Sequence, residues 1–208
     1  MAESNKSAES IIRFLSNPSS YVHHPKKVSI LQTHASVLAI APPYVYKVKK
    51  QVNLGFLNFT ELEDRKRNCE REWELNSRFC AGLYTAILPV ALKHGQLAFG
   101  TEGEIVDYAL QMKQLPDGYF LDQLVQAGHV YHKMLDAVLE MLEGCYGKLL
   151  PDSLVAYYGS LSSIREAVKE NVATLEHCTR DTVHPPSLET IQRYFQCFLQ
   201  DNQKLVVV

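Results

Sequence analysis

The stretch that most constrains this chain is Tyr44-Val45-Tyr46-Lys47-Val48-Lys49-Lys50, followed after a short loop by a strongly signalled helix over residues 60–79. In a strand, successive side chains alternate, so Val45, Lys47 and Lys49 share one face while Tyr44, Tyr46, Val48 and Lys50 share the other. Thr60-Glu61-Leu62-Glu63 has the form of a capping box, with the Thr60 hydroxyl accepting from a free amide and Glu63 reaching back to Thr60. At about 100° per residue, Leu62, Cys69, Trp73 and Phe79 make the apolar arc of the helix. Of the nearby acids Glu70, Glu72 and Glu74, only Glu72 falls inside that arc. A carboxylate aimed at a core needs a partner, and a lysine on a neighbouring strand supplies one. The competing reading is an ordinary ion pair or two solvated side chains.

Around this unit the pattern is regular. Ser10 to Ser16 reads as a short helix, ended by Asn17-Pro18-Ser19-Ser20. Val28 to Gln32 and Val37 to Ala41 read as strands joined by the tight segment Thr33-His34-Ala35-Ser36, and Pro42-Pro43 turns the chain into the lysine strand. Ile87 to Leu92 and Gln96 to Phe99 form a hairpin about Lys93-His94-Gly95, and Ile105 to Met112 closes the set as a fifth strand. Beyond Pro116 the periodicity becomes helical, over Tyr119 to Ala127, His129 to Glu143, Ser160 to His177 and Ser187 to Gln200, with Ser187 as an N-cap behind Pro185-Pro186. The expected fold is α+β: a five-stranded antiparallel sheet with one helix over residues 1–116, then an all-helical segment over 117–208.

Composition narrows the class. A balance of 21 basic to 23 acidic residues gives no nucleic-acid or membrane surface, and 46% hydrophobic content marks a globular chain. No apolar run reaches the 18 or so residues of a membrane span. The N-terminus has neither the apolar stretch nor the flanks of a secretory signal, which points to the cytoplasm. Cys69, Cys80, Cys145, Cys178 and Cys197 are odd in number without a C-x-x-C pair, and read as small core residues in a reducing compartment.

Five antiparallel strands with a helix between the third and fourth is the order of the small lobe of kinase-like phosphotransferases. Within that order stand Gln32-Thr33-His34-Ala35-Ser36, Val45-Tyr46-Lys47-Val48-Lys49-Lys50, Leu54-Gly55-Phe56-Leu57-Asn58-Phe59, Cys69-Glu70-Arg71-Glu72 with Leu75-Asn76, and Tyr108-Ala109 to Met112-Lys113-Gln114. Over about residues 9 to 146, this set resembles a bacterial family of aminoglycoside-phosphotransferase-like proteins, often joined to a C-terminal P-loop ATPase or kinase domain. The resemblance implies a nucleotide site. Lys47 would bind the ATP phosphates with Glu72 as its partner, and Lys49, on the same face, is the alternative. Val45 would roof the adenine, and the stretch Gln111 to Leu115, with Gln111, Met112 and Lys113 foremost, would be the connection between lobes that offers backbone groups to the adenine edge. Thr33, His34 and Ser36 would supply hydroxyl or amide donors in place of a glycine-rich loop, against the plainer reading of a hairpin turn with no ligand.

The same resemblance exposes what is missing. The family's metal ligands and catalytic base lie in an H-G-D-x-H segment with a downstream Asn and a later Asp. In this sequence the only His-Gly pair is His94-Gly95, followed by Gln96. Phosphoryl transfer requires positioned metal ions and an oriented nucleophile. The expectation is therefore the N-terminal part of a phosphotransferase that moves the γ-phosphate of ATP to a small hydroxylated substrate, inactive alone, with the Mg ligands in a C-terminal remainder or partner subunit. The alternative is a non-catalytic kinase-like module that binds a nucleotide or a protein.

Other constellations read as structural. His129, His132 and Asp136 share a helix face without a fourth ligand candidate. His177 and Cys178 point apart on a helix. Glu143-Gly144-Cys145-Tyr146-Gly147-Lys148-Leu149 lacks the P-loop's first glycine and the hydroxyl residue after its lysine. Tyr157, Tyr158, Tyr194, Phe195 and Phe198 read as helix core.

Overall fold

The computed structural model describes residues 2–150, 153–178 and 185–203. In order these form α1 (Ala2–Ser16), a 3-10 turn (Pro18–Ser20), β1 (Ser29–Gln32), β2 (Ser36–Ala41), β3 (Tyr44–Lys49), α2 (Leu62–Asn76), β4 (Tyr84–Lys93), β5 (Gln96–Phe99), β6 (Glu104–Lys113), α3 (Leu121–Gln126), α4 (His132–Tyr146), α5 (Ser153–Tyr158), α6 (Leu161–Cys178) and α7 (Pro185–Asp201). The α+β class and the change from strand to helix stand as expected, while the compact units divide later, at Cys145 and Tyr146.

In the unit spanning residues 1–145, the strands pair antiparallel in the order β1-β2-β3-β6-β4-β5. The sheet has six strands where five were expected: the segments read as strands number six once the 87–99 hairpin is counted as two, and β4 lies between β5 and β6. Alternation sorts the residues of the sheet. Val37, Ala39, Ala41, Tyr46, Val48, Val90 and Ala109 are buried with Ile11, Leu15 and Tyr21, which places α1 over one face. Leu110 and Tyr84 are buried with Cys69 of α2 on the other. Helix α1 is twice the short helix expected, since its N-terminal half, Ala2 to Glu9, carries no apolar periodicity to read.

Helix α2 differs at both ends from its sequence pattern. The capping box is not formed: Thr60 donates its hydroxyl and its amide to Asn58 Oδ1, and Glu61 takes the N-cap position without a side-chain cap. With Glu61 as N-cap the helix starts one residue later than the box requires, so Thr60 lies outside it. Phe79 lies past the helix and is 42% exposed, so it is no part of the apolar arc.

In the unit spanning residues 146–208, α6 and α7 pack together around Val172, Leu188 and Leu199. Helix α7 begins at Pro185, so the prolines occupy its first turn, where their missing N–H groups cost nothing, and Ser187 is inside rather than the cap. Tyr157, Tyr158, Tyr194, Phe195 and Phe198 are exposed rather than core, and associate mainly with one another. Of the cysteines whose side chains are described, Cys69 is buried, Cys145 is partly buried, and Cys80 and Cys197 are exposed rather than core. The side chains of His177 and Cys178 lie outside the described residues. Among the described residues, no helix is long and apolar enough to cross a membrane.

Candidate functional site

The register of three strands delivers one face to a common place. Lys47 pairs with Leu38 of β2 and Leu110 of β6, and Val45 pairs with Ile40 and Met112. Because Tyr46 and Val48 are committed to the α1 side, Val45, Lys47 and Lys49 must project to the α2 side.

There, both lysines meet one carboxylate. Lys47 Nζ donates to Glu72 Oε1 at 2.8 Å and Lys49 Nζ donates to Glu72 Oε2 at 2.5 Å. The sequence offered Lys49 as an alternative to Lys47; the structure places both on Glu72. They differ in access, Lys47 being 25% exposed and Lys49 only 6%. Lys49 is further enclosed by the Phe59 ring, whose centroid lies 5.6 Å from Nζ. Tyr84 donates its hydroxyl to Glu72 Oε1 at 3.3 Å, and Asn76, one turn along α2, donates to Tyr84 Oη at 2.8 Å. Burial acts to raise the Glu72 carboxyl, but the hydrogen bonds from Lys47 and Lys49, with their charges, outweigh it and hold the group below its usual range. Two ammonium groups against one carboxylate leave the cluster with one net positive charge.

A second ion pair fixes the helix that carries Glu72. Arg65 is 1% exposed and spends its fork on four acceptors: Asp107 Oδ1 at 2.9 Å, Phe59 O at 3.1 Å, Thr60 O at 2.9 Å and Val106 O at 2.9 Å. Burial pushes Asp107 up, and the Arg65 charge and the Tyr108 N–H only partly offset it. One guanidinium thus ties α2, β6 and the end of the 50–60 loop together, and that loop supplies the Phe59 ring over Lys49. Arg65 is not among the residues singled out from the sequence. Yet Arg65, Cys69, Glu72 and Asn76 recur at the spacing of one helix face, a signal present in the sequence.

Around Lys47 the surface is apolar and half open. Leu38, Ile40, Val45 and Met112 are each partly exposed on this face, and Leu31, paired with Leu38, is 54% exposed. Val45 shares this face with Lys47. The expected connection does not begin at Gln111: Gln111, Met112 and Lys113 belong to β6. The Gln111 side chain is on the opposite face, donating to Tyr46 Oη at 2.7 Å and accepting from Thr85 at 2.9 Å. The Lys113 and Gln114 amides donate to Leu83 O and Pro43 O, both at 2.9 Å, so the first amide past β6 without a backbone acceptor is that of Leu115.

The turn between β1 and β2 is closed on itself. Thr33 Oγ1 accepts from the Ser36 amide at 3.0 Å, and Lys50 Nζ caps the Thr33 carbonyl at 2.7 Å. Ser36 is buried and His34 is exposed. The Thr33 hydroxyl and the Ser36 amide are therefore occupied with each other, which leaves the His34 side chain and the His34 and Ala35 amides as the groups the turn presents. Among the described residues, no group of three or more His, Cys, Asp or Glu side chains is placed to hold a metal ion.

The chain is similar to Uncharacterized protein Rv2004c of Mycobacterium tuberculosis and Uncharacterized protein Mb2027c of Mycobacterium bovis, 26% identical to each over 178 residues. The match takes in 86% of this chain and 34% of the relatives, so the chain spans about a third of the length of the curated relatives it matches. No protein-family profile matches the chain. No solved structure matches it.

Proposed function

We propose that this chain is the nucleotide-binding part of a kinase-like phosphotransferase, with ATP bound against the face of β2, β3 and β6 that carries Lys47. The observation that carries the reading is the Lys47–Glu72 pair, joining the third strand to the helix that follows it, at the edge of a half-open apolar surface. A net positive charge beside apolar strand residues suits a ligand with a flat apolar ring and a polyanionic tail. On this reading Val45, Leu38 and Met112 contact the base, Lys47 contacts the phosphates, and the His34 and Ala35 amides lie at the turn that borders the cluster. Mg would be bound with the phosphates by ligands other than these. With no H-G-D-x-H segment in its sequence, the chain by itself is expected to bind ATP without transferring phosphate.

Thermal unfolding with Mg-ATP tests the proposal. A ligand bound only by the folded state adds about 2.7 kcal/mol at a hundred times its dissociation constant, which raises Tm by about 5–10 °C for a unit of this size. Lys47→Ala should abolish the rise. No rise in the parent protein would refute nucleotide binding, and a rise untouched by Lys47→Ala would refute the assigned site.

A further inference from the structure

We infer that Lys49 is a positioning residue, which neutralises and holds Glu72 so that the Lys47 ammonium is delivered, as surplus charge, to an anionic ligand. The inference rests on the proposed nucleotide reading and adds a division of labour between two lysines that the sequence treats as interchangeable.

Three observations separate them. Lys49 Nζ is enclosed between Glu72 and the Phe59 ring, and 6% of its side chain is exposed. Lys47 is four times as accessible, at 25%, and its strand neighbours Leu38 and Leu110 lie on the half-open face and beside Tyr84. Glu72 offers a separate oxygen to each, so its attachment to Lys49 survives when Lys47 moves. A lone Lys47–Glu72 pair would be neutral, and a phosphate would have to compete with the carboxylate for the ammonium. With Lys49 already neutralising Glu72, the remaining positive charge resides on the one ammonium a ligand can approach. The Phe59 carbonyl is itself tied to Arg65, so the cover over Lys49 is fixed in place.

Two double variants with the same net charge decide the matter. Lys49→Met/Glu72→Gln keeps only Lys47, and Lys47→Met/Glu72→Gln keeps only Lys49. Mg-ATP binding is measured by calorimetry on the full chain, with Trp73 fluorescence confirming cooperative unfolding of each variant. The single Lys49→Met variant should bind about tenfold more weakly, and adding Glu72→Gln should restore affinity to within about threefold of the parent. A residue that only stabilised the fold would change the unfolding midpoint and leave affinity alone. Lys47→Met/Glu72→Gln should bind more than about tenfold more weakly than the parent. Should that variant fail to fold, Lys47→Met, which keeps the Lys49–Glu72 pair, must show the same loss. Equal binding by the two double variants, binding by the Lys49-only variant alone, failure of Glu72→Gln to restore affinity, or failure of the Lys47-only variant to fold each overturns the division of labour. Absence of binding by the parent overturns the nucleotide reading as well, which keeps the two failures apart.

Discussion

Replacing Arg65 by Met should damage the fold more than any loss of the candidate ligand contacts. The change keeps a long apolar stem but removes the charge opposite Asp107 and the donors to Phe59 O, Thr60 O and Val106 O. Breaking a buried ion pair from one side costs about 3–5 kcal/mol, because the other charge is left without compensation. The Phe59 carbonyl, whose bond to Arg65 is buried, adds about 1–2 kcal/mol as an orphaned acceptor, whereas the other two carbonyls are near enough to solvent to find water. The sum of about 4–7 kcal/mol approaches the whole stability of a typical domain. Urea unfolding followed by Trp73 fluorescence measures it, since Trp73 is the chain's one tryptophan and lies half-buried on α2. The loss should also depend on pH with a definite sign. Asp107 is held above the ordinary carboxylate range by burial even with Arg65 present, and without Arg65 it should rise further. A carboxyl that binds its proton more tightly folded than unfolded contributes stability at low pH that is lost as pH rises through the folded value. The variant should therefore be closest to the parent at acidic pH and fall away as pH rises. A loss below about 1 kcal/mol at pH 7, or one that shrinks as pH rises, would refute the view that Arg65 is the charge partner on which Asp107 depends.

Two further outcomes follow from the same contacts. Glu72 has the opposite sign to Asp107: its folded value is lowered, so its contribution is full above the ordinary glutamate range and disappears as pH falls through the folded value. Acid unfolding of the parent should accordingly lose stability below that range with a slope that Glu72→Gln reduces. Gly103→Ala should destabilise by at least about 1 kcal/mol in urea unfolding, because the new Cβ would meet the Leu92 carbonyl oxygen and the backbone has a φ of +117°. An unchanged midpoint would show that the turn before β6 relaxes freely.

The parts of this molecule that could be read from its sequence are those where one-dimensional spacing has a single spatial meaning. Alternation along 44–50 put Val45, Lys47 and Lys49 on one face, and the buried Tyr46 and Val48 on the other confirm that parity. Glu72 was distinguished from Glu70 and Glu74 by its angle on the helix, and it is the one of the three that meets the lysines. Spacing failed where one residue fits two local patterns. Thr60 satisfies both a capping pattern and an Asx turn, and only the turn is formed. Ser187 follows two prolines that can themselves begin a helix. Arg65 shares the helix face of Cys69 and Glu72, but its burial could not be read from spacing, because a guanidinium is buried only when the tertiary structure assembles its acceptors, here from the loop end at 59–60 and from Val106 and Asp107 of β6.

Helix α2 is held to the sheet by charge more than by apolar packing, and this bears on what its carboxylate can do. Its buried residues are Arg65 and Cys69, with Leu62 and Trp73 only partly covered. Apolar contacts are non-directional and would let such a helix slide or roll with small change in energy. The Arg65 fork and the two-oxygen attachment of Glu72 are directional, and they grip the helix at points seven residues apart, about two turns. A roll that moved Glu72 by even a side-chain width would break bonds at both points. Burial also pushes the Cys69 thiol between them up to about 11, so it stays neutral at physiological pH and adds no charge that would compete for Lys49. The position of the Glu72 carboxylate is thus fixed by the Arg65 contacts of its helix and by the enclosed Lys49, and Lys47 is the more exposed of its two lysine partners.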